Sequence, residues 1–179
     1  MKVTRIARSI AVASALAGAA TGALAANDGT LGSSSSGDLG VTLAVADRVQ
    51  ITGLEDIALG TYSGSGPLTG SATFCVYRNG TGLYDLVATS ANELAGGFVA
   101  TDGTNDIGYG VKVDADTDAS DGVVVASGTA ETGLAGHASA TDCGGSENAS
   151  LEVSFLEADL QAAPTGAYAD TITLLVTPN

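Results

Sequence analysis

The stretch LGVTLAVA, residues 39–46, alternates large apolar residues with small or polar ones at every second position. Its apolar members are Leu39, Val41, Leu43 and Val45. They share one face of an extended chain, because successive side chains of a strand point to opposite sides. The rest of the chain repeats this period in short runs separated by Gly, Asn, Asp and Ser. That pattern predicts an all-β, antiparallel fold, with no amphipathic helix after residue 25.

The runs outside this stretch predict seven or eight further strands. They cover residues 49–51, 72–78, 83–88, 98–101, 107–113, 123–125, 150–155 and 168–177. The Asn-Gly-Thr-Gly turn at residues 79–82 predicts that the second and third of these runs form a hairpin. Two sheets of this size predict an immunoglobulin-like β-sandwich, although the tryptophan of antibody domains is absent.

The first 25 residues predict a secretory signal peptide. Lys2, Arg5 and Arg8 form a positive region, residues 10–22 are uncharged, and the Ala-Leu-Ala of residues 23–25 fits a cleavage site. A transmembrane anchor is the alternative, but the uncharged stretch has few large apolar residues to hold it in lipid. We therefore expect export, with cleavage after Ala25.

Cleavage would leave a strongly acidic protein. Removing 25 of the 179 residues leaves 154, enough for one domain with its own core. Three basic residues then face 20 acidic ones, a formal charge of −17. Such a surface repels nucleic acid and anionic membranes, so neither is an expected partner.

Cys75 and Cys143 are the two cysteines. An even count in an oxidising compartment predicts one disulfide, and two free buried thiols are the alternative. A bond would close a loop of about 68 residues, which the chain-entropy account values at roughly 4 kcal/mol.

Residue types for catalysis are scarce. The single histidine, His137, lies in a Gly-rich stretch, and no Gly-x-Ser-x-Gly sequence surrounds a serine. A zinc site would have too few ligands, because the chain has one histidine and its two cysteines are expected to be oxidised. We therefore predict no enzyme and no cofactor.

An acidic stretch carries alternating aspartates, as calcium loops do. Its carboxylates belong to Asp114, Asp116, Asp118 and Asp121. An EF-hand loop beginning at Asp114 would need glycine and glutamate where Ala119 and Val125 stand. A soluble acidic hairpin turn is therefore the preferred interpretation. No metal is predicted, and the four aspartates stay weak candidates for another kind of calcium site.

The edge of the last strand suggests how the protein works. Residues 168–177 end two positions before Asn179, so we expect nothing after them to cover that edge. Unpaired backbone groups at a sheet edge accept a further strand. The stretch 39–46 of a neighbouring molecule could provide it. The alternative is that this stretch is the first strand of its own sandwich.

Several short motifs extend the interpretation. They are Val49-Gln50-Ile51, Ile57-Ala58-Leu59-Gly60-Thr61-Tyr62, Phe74-Cys75-Val76, Tyr84-Asp85-Leu86, Ile107-Gly108-Tyr109-Gly110-Val111 and Gly166-Ala167-Tyr168-Ala169-Asp170-Thr171. In this order, over residues 38–179, they resemble a chaperone–usher pilin of the archaic type, similar to spore coat protein U. The Gly-x-Tyr-x-Asp-Thr motif is the most specific. One departure is that residues 49–51 lack the cysteine usual in that family.

The resemblance implies an immunoglobulin-like sandwich that lacks its last strand. A periplasmic chaperone would fill the gap, and at the outer-membrane usher the extension of the next subunit would replace it. The donor residues would be Leu39, Val41, Leu43 and Val45, and the acceptor groove would include Ile172, Leu174 and Val176. The implied parts are a signal peptide (1–25), a flexible leader (26–37), a donor extension (38–47) and a sandwich (48–179).

The expected function is a structural subunit of a pilus or fimbria at the cell surface, used in adhesion or biofilm formation. The alternative is a monomeric secreted sandwich that binds calcium or a glycan.

Overall fold

The computed structural model describes residues 26–80 and 82–179. The predicted signal peptide lies outside them. The chain divides into two units, Met1–Val45 and Ala46–Asn179. In the described part of the chain, no helix is long and apolar enough to cross a membrane.

The second unit consists of short strands and one short helix. The strands are β1 (Val49–Thr52), β2 (Leu68–Arg78), β3 (Leu83–Ser90), β4 (Phe98–Thr101), β5 (Asp106–Asp114), β6 (Val123–Val125), β7 (Ala130–Ala135), β8 (Ala149–Phe155) and β9 (Ile172–Pro178). The helix α1 (Glu157–Ala162) was not predicted, and it buries none of its residues. It therefore adds little to the core.

The strands form two antiparallel sheets. The first has the order β1-β2-β8-β5-β4, and β6 also pairs with β5. The second has the order β7-β3-β9. The prediction of an all-β, sandwich-like fold is therefore confirmed.

The predicted hairpin between residues 72–78 and 83–88 is wrong. β2 pairs with β1 and β8 in the first sheet, whereas β3 pairs with β7 and β9 in the second. The chain therefore passes from one sheet to the other between Arg78 and Leu83. Each strand has an apolar face, and because the two strands lie in opposite sheets these faces are buried against each other across the core.

The core lies between the two sheets and follows the predicted alternation. Phe74 and Val76 of β2 and Tyr84 and Leu86 of β3 are at most 1 % exposed. Alternate residues of β5 and β8 belong to the same cluster, namely Val111, Val113, Ala149, Leu151 and Val153. Burial of these inward faces is the main contribution to stability.

A disulfide joins Cys75 to Cys143, with the two Cα atoms 5.8 Å apart. This confirms the predicted bond and excludes the alternative of two free thiols. Both cysteines are 3 % exposed. The Asn148 side chain accepts a hydrogen bond from the Val76 amide at 2.8 Å and donates one to the Val76 carbonyl at 3.2 Å. The loop before β8 is therefore attached to β2 at two points.

Candidate functional site: the groove beside β9

The free edge of β9 is the first feature of the candidate site. Among the described strands, β9 pairs only with β3, from Ser90↔Ile172 to Tyr84↔Pro178. Ile172, Leu174 and Val176 are half-buried and pack against the core, whereas the residues between them are exposed. The three predicted acceptor residues therefore share the inward face of one strand.

A groove of about 620 Å³ opens next to this edge. Ile172 and Leu174 form one wall. Val176 lies outside the lining, so two of the three predicted acceptor residues line the groove. The opposite wall is apolar and comes from β2 and β8, through Ala72, Phe74, Leu151, Val153 and Phe155. The groove therefore lies between the two sheets, at the side where β9 is unpaired.

The segment 54–60 forms the third side of the groove. Ile57 and Leu59 are half-buried in it and cross over Gly70 of β2. A Cβ atom at Gly70 would lie 2.6 Å from Leu59 Cδ2 and 2.7 Å from Ile57 Cγ2, so any larger residue would displace the segment. No strand is assigned to residues 53–63. The groove therefore has one regular edge, β9, and one irregular edge.

One end of the groove is polar and is organised by Asp170. Its Oδ2 atom accepts hydrogen bonds from Ser90 Oγ at 2.5 Å and from the Tyr109 hydroxyl at 2.6 Å. Its Oδ1 atom accepts from Asn92 Nδ2 at 3.0 Å and from the Thr171 amide at 2.7 Å. The carboxylate thereby attaches the start of β9 to β3 and β5.

Tyr109 is also held by aromatic contacts. Its ring stacks on Phe155, with centroids 4.8 Å apart, and packs at a tilt against Phe98 at 5.7 Å. Burial, and then the hydrogen bond to Asp170 and the charge of that carboxylate, raise the pKa of the Tyr109 phenol. The phenol is therefore protonated at neutral pH and remains a hydrogen-bond donor.

The Gly-x-Tyr-x-Asp-Thr motif is explained by these contacts. A Cβ atom at Gly166 would lie 2.7 Å from Asp102 Oδ2, so a larger residue there would have to displace the Asp102 side chain. The Tyr168 hydroxyl donates to the Pro164 carbonyl at 2.9 Å. With Asp170, these residues shape the turn that leads into β9. Ser90 and Tyr109, the partners of Asp170, were not identified as site residues, because neither the local sequence around Ser90 nor the motif that contains Tyr109 indicates a contact with Asp170.

The predicted donor residues belong to the first unit. Within that unit, the Asn27 and Asp38 amides each donate to the carbonyl of the other at 2.8 Å, which closes a loop over the predicted leader. Leu39, Val41, Leu43 and Val45 are 77, 84, 89 and 71 % exposed. Among the described residues, the first named strand begins at Val49.

The acidic stretch forms the loop between the paired strands β5 and β6. Carboxylate oxygens of Asp114, Asp116 and Asp121 lie within 4.8 Å of one another. Asp118 is not in this group, because its Oδ1 atom accepts hydrogen bonds from the Ser120 amide and hydroxyl, which hold the pKa of its carboxyl below the ordinary range. The structure therefore brings together three of the four weak metal candidates.

No protein-family profile matches this chain. No curated protein matches it either. One similar solved chain comes from a structure described as a chaperone–tip adhesin complex that is vital for synergistic activation of CFA/I fimbriae biogenesis. The two chains are 14 % identical, with a TM-score of 0.49, over 73 % of this chain and 42 % of that one. This chain thus spans less than half the length of the other, and a likeness of this size supports no assignment.

Proposed function

We propose that this protein is a structural, non-enzymatic subunit of an exported surface fibre, and that its subunits join by donor-strand exchange. The observation that carries the proposal is the apolar groove beside the unpaired edge of β9. In the proposed joint, residues 39–45 of one subunit lie in the groove of the next. Adhesion or biofilm formation is the role proposed for the fibre.

The length of the donor segment fits the free edge. Residues 39–45 and β9 both contain seven residues. At about 3.3 Å per residue, each spans about 23 Å, so the two have matching lengths for pairing. The donor residues at every second position would then face the core, beside Ile172 and Leu174.

The energetics also favour an occupied groove. The four donor side chains are at least 71 % exposed. Full burial stabilises a large apolar side chain by roughly 1.5–3 kcal/mol, and the cost of association offsets part of the total. Residues 39–46 carry no charge, which allows them to enter the groove of an acidic protein. An empty groove would leave the half-buried Ile172 and Leu174 and the β9 edge without a cover, which favours aggregation.

The proposed partners follow from the same argument. Before assembly, another protein has to cover the β9 edge, and by resemblance this is a periplasmic chaperone. By the same resemblance, exchange takes place at an outer-membrane usher, and the permanent partner is an identical or related subunit. The disulfide agrees with a periplasmic or extracellular location.

The test uses the mature protein and a variant that lacks residues 33–46. We expect the mature protein to form multimers that survive in unboiled electrophoresis samples and dissociate on boiling. The deletion variant should fold with chaperone but form no multimers. A synthetic peptide of residues 38–47 should raise its melting temperature, because a ligand that binds only the native state stabilises it.

A variant that lacks residues 27–32 is the control, because it keeps the donor segment and should still form multimers. Fibres from the variant without residues 33–46 would show that the donor assignment is wrong. A mature protein that stays monomeric, soluble and stable without any partner would instead support the secreted binding module.

A further inference from the structure

Residues 46–48, just before β1, are held by Asn79 at the end of β2. The Asn79 Oδ1 atom accepts a hydrogen bond from the Arg48 amide at 2.7 Å. Its Nδ2 atom donates to the Ala46 carbonyl at 2.9 Å. The Asn79 amide also donates to the Arg48 carbonyl at 3.2 Å. One asparagine therefore binds three backbone groups of this short segment.

Arg78 supports the same segment. It is 5 % exposed, its Nη1 atom donates to the Asn79 carbonyl at 2.9 Å, and its Nη2 atom lies 3.3 Å from Asp47 Oδ1. The guanidinium thus contacts both the residue that holds the segment and the middle residue of the segment. Arginine suits this role because its donors have a fixed planar geometry.

These contacts go beyond what the β1–β2 ladder requires. The ladder pairs Val49 with Arg78 and ends there. A turn residue placed only to end the ladder would need no side-chain bond to Ala46. The side-chain amide of Asn79 extends the hydrogen bonding three residues beyond Val49 toward the N-terminus, to Ala46 at the start of the second unit.

We infer that Asn79 and Arg78 are positioning residues that hold residues 46–48 on the sandwich and thereby stiffen the joint between two copies of this chain. The inference rests on the proposed function. If residues 39–45 lie in the groove of a neighbouring subunit, then residues 46–48 alone connect that strand to β1. Three free residues would act as a flexible hinge. Residues 46–48 would not act as such a hinge, because two side chains and a backbone hydrogen bond hold them.

The experiment compares the mature wild-type protein with Asn79→Ala, and uses Asn105→Ala as the matched control. Asn105 lies in the turn between β4 and β5, where its side chain donates to Asp102. Two quantities are measured, namely the hydrogen exchange of the Arg48 amide and the persistence length of assembled filaments in electron micrographs. Asp47→Ala is the second variant, because the Asp47 side chain is 65 % exposed and its loss should leave the fold intact.

In Asn79→Ala we expect the Arg48 amide to exchange at least tenfold faster and the persistence length to fall at least twofold, while multimers still form. Asp47→Ala should also shorten the persistence length, and Asn105→Ala should change neither quantity. Filaments of Asn79→Ala and Asp47→Ala that are as stiff as wild type would overturn the inference and leave the proposed function intact. Wild-type protein that forms no multimers would overturn the proposed function, and the stiff joint with it.

Discussion

The Tyr109 hydroxyl donates a hydrogen bond of 2.6 Å to Oδ2 of Asp170, two residues before β9 begins. This bond links β5 of one sheet to the approach of β9, the edge strand of the other. Sixty-one positions separate the two residues in the chain. The bond therefore helps to hold this wall of the groove in place.

Replacing Tyr109 by Phe should destabilise the sandwich by about 1–3 kcal/mol, because a hydrogen bond to a half-buried carboxylate is lost. Urea unfolding of the mature protein measures the change. Tyr168→Phe is the matched control, since it removes the same hydroxyl from a bond to the exposed Pro164 carbonyl. Tyr168→Phe should lower the free energy of unfolding by less than Tyr109→Phe does. An equal loss in both variants would argue against a special role for the link to Asp170.

Alkaline pH should destabilise the protein through its buried tyrosines. Burial, with the charge of Asp114, raises the pKa of Tyr84 from 10.0 to about 12, and the pKa of Tyr109 is raised as well. Above about pH 10 the unfolded chain releases these protons before the folded protein does. Stability from the two phenols is therefore complete below pH 10 and lost as pH rises through the folded-state pKa values.

We expect the free energy of unfolding to fall above about pH 10 by up to about 1.4 kcal/mol per pH unit for each tyrosine. Urea unfolding at several pH values measures this slope. Tyr109→Phe should make it shallower. A slope that does not change in this variant would contradict the raised pKa of Tyr109.

Leu43→Asp should prevent assembly without affecting the fold, because it places a charge where the proposed joint buries an apolar side chain. We expect the yield of boiling-sensitive multimers to fall at least about tenfold, which corresponds to roughly 1.4 kcal/mol. Thr42→Asp is the control, since its side chain lies on the other face of the donor segment. Equal loss in both variants would indicate a general effect of charge.

Removal of the disulfide by a double Cys75→Ala, Cys143→Ala substitution should lower stability by about 4 kcal/mol, because a closed loop spanning 68 positions restricts the unfolded chain. Urea unfolding compares this variant with oxidised and reduced wild type. Reduced wild type should resemble the variant. A loss below about 1 kcal/mol would mean that the unfolded chain is restricted by other means.

Calcium should not change the melting temperature. Asp118 is hydrogen-bonded to Ser120, and the Lys112 ammonium, which donates to the Ser120 carbonyl at 2.7 Å, places a positive charge at the acidic loop. Thermal unfolding with calcium and with a chelator tests this expectation. A rise of several degrees that Asp116→Asn abolishes would support the calcium-binding alternative.

The local alternation of apolar and polar residues was sufficient to predict part of the fold. In β5 and β8 every second residue is buried, as the predicted alternation requires, namely Val111, Val113, Leu151 and Val153. The alternation also placed Ile172 and Leu174 on one face of β9. The period of two in a strand is a property of neighbouring residues, so it can be read from the sequence without knowledge of the fold. The cysteine count likewise predicted the disulfide.

Which strands lie side by side was decided only by the tertiary structure. The turn at residues 79–82 has the composition of a hairpin, yet β2 and β3 lie in different sheets. Asp118 matches its neighbours in sequence, yet hydrogen bonds to Ser120 separate it from them. The role of Asn79 at residues 46–48 was missed for the same reason. Strand pairing and side-chain contacts depend on residues that are distant in the chain, and the local alternation of apolar residues does not predict which distant residues meet.

The amino-acid sequence by itself determined which residues are apolar on one face, including those of residues 39–45 and the inward face of β9. Only the tertiary structure decided that β9 pairs with β3, that Phe74, Val153 and Phe155 face it across a groove, and that Asp170 closes one end. The physical reason is that a groove is the space left between two packed sheets, and its shape depends on how distant strands meet.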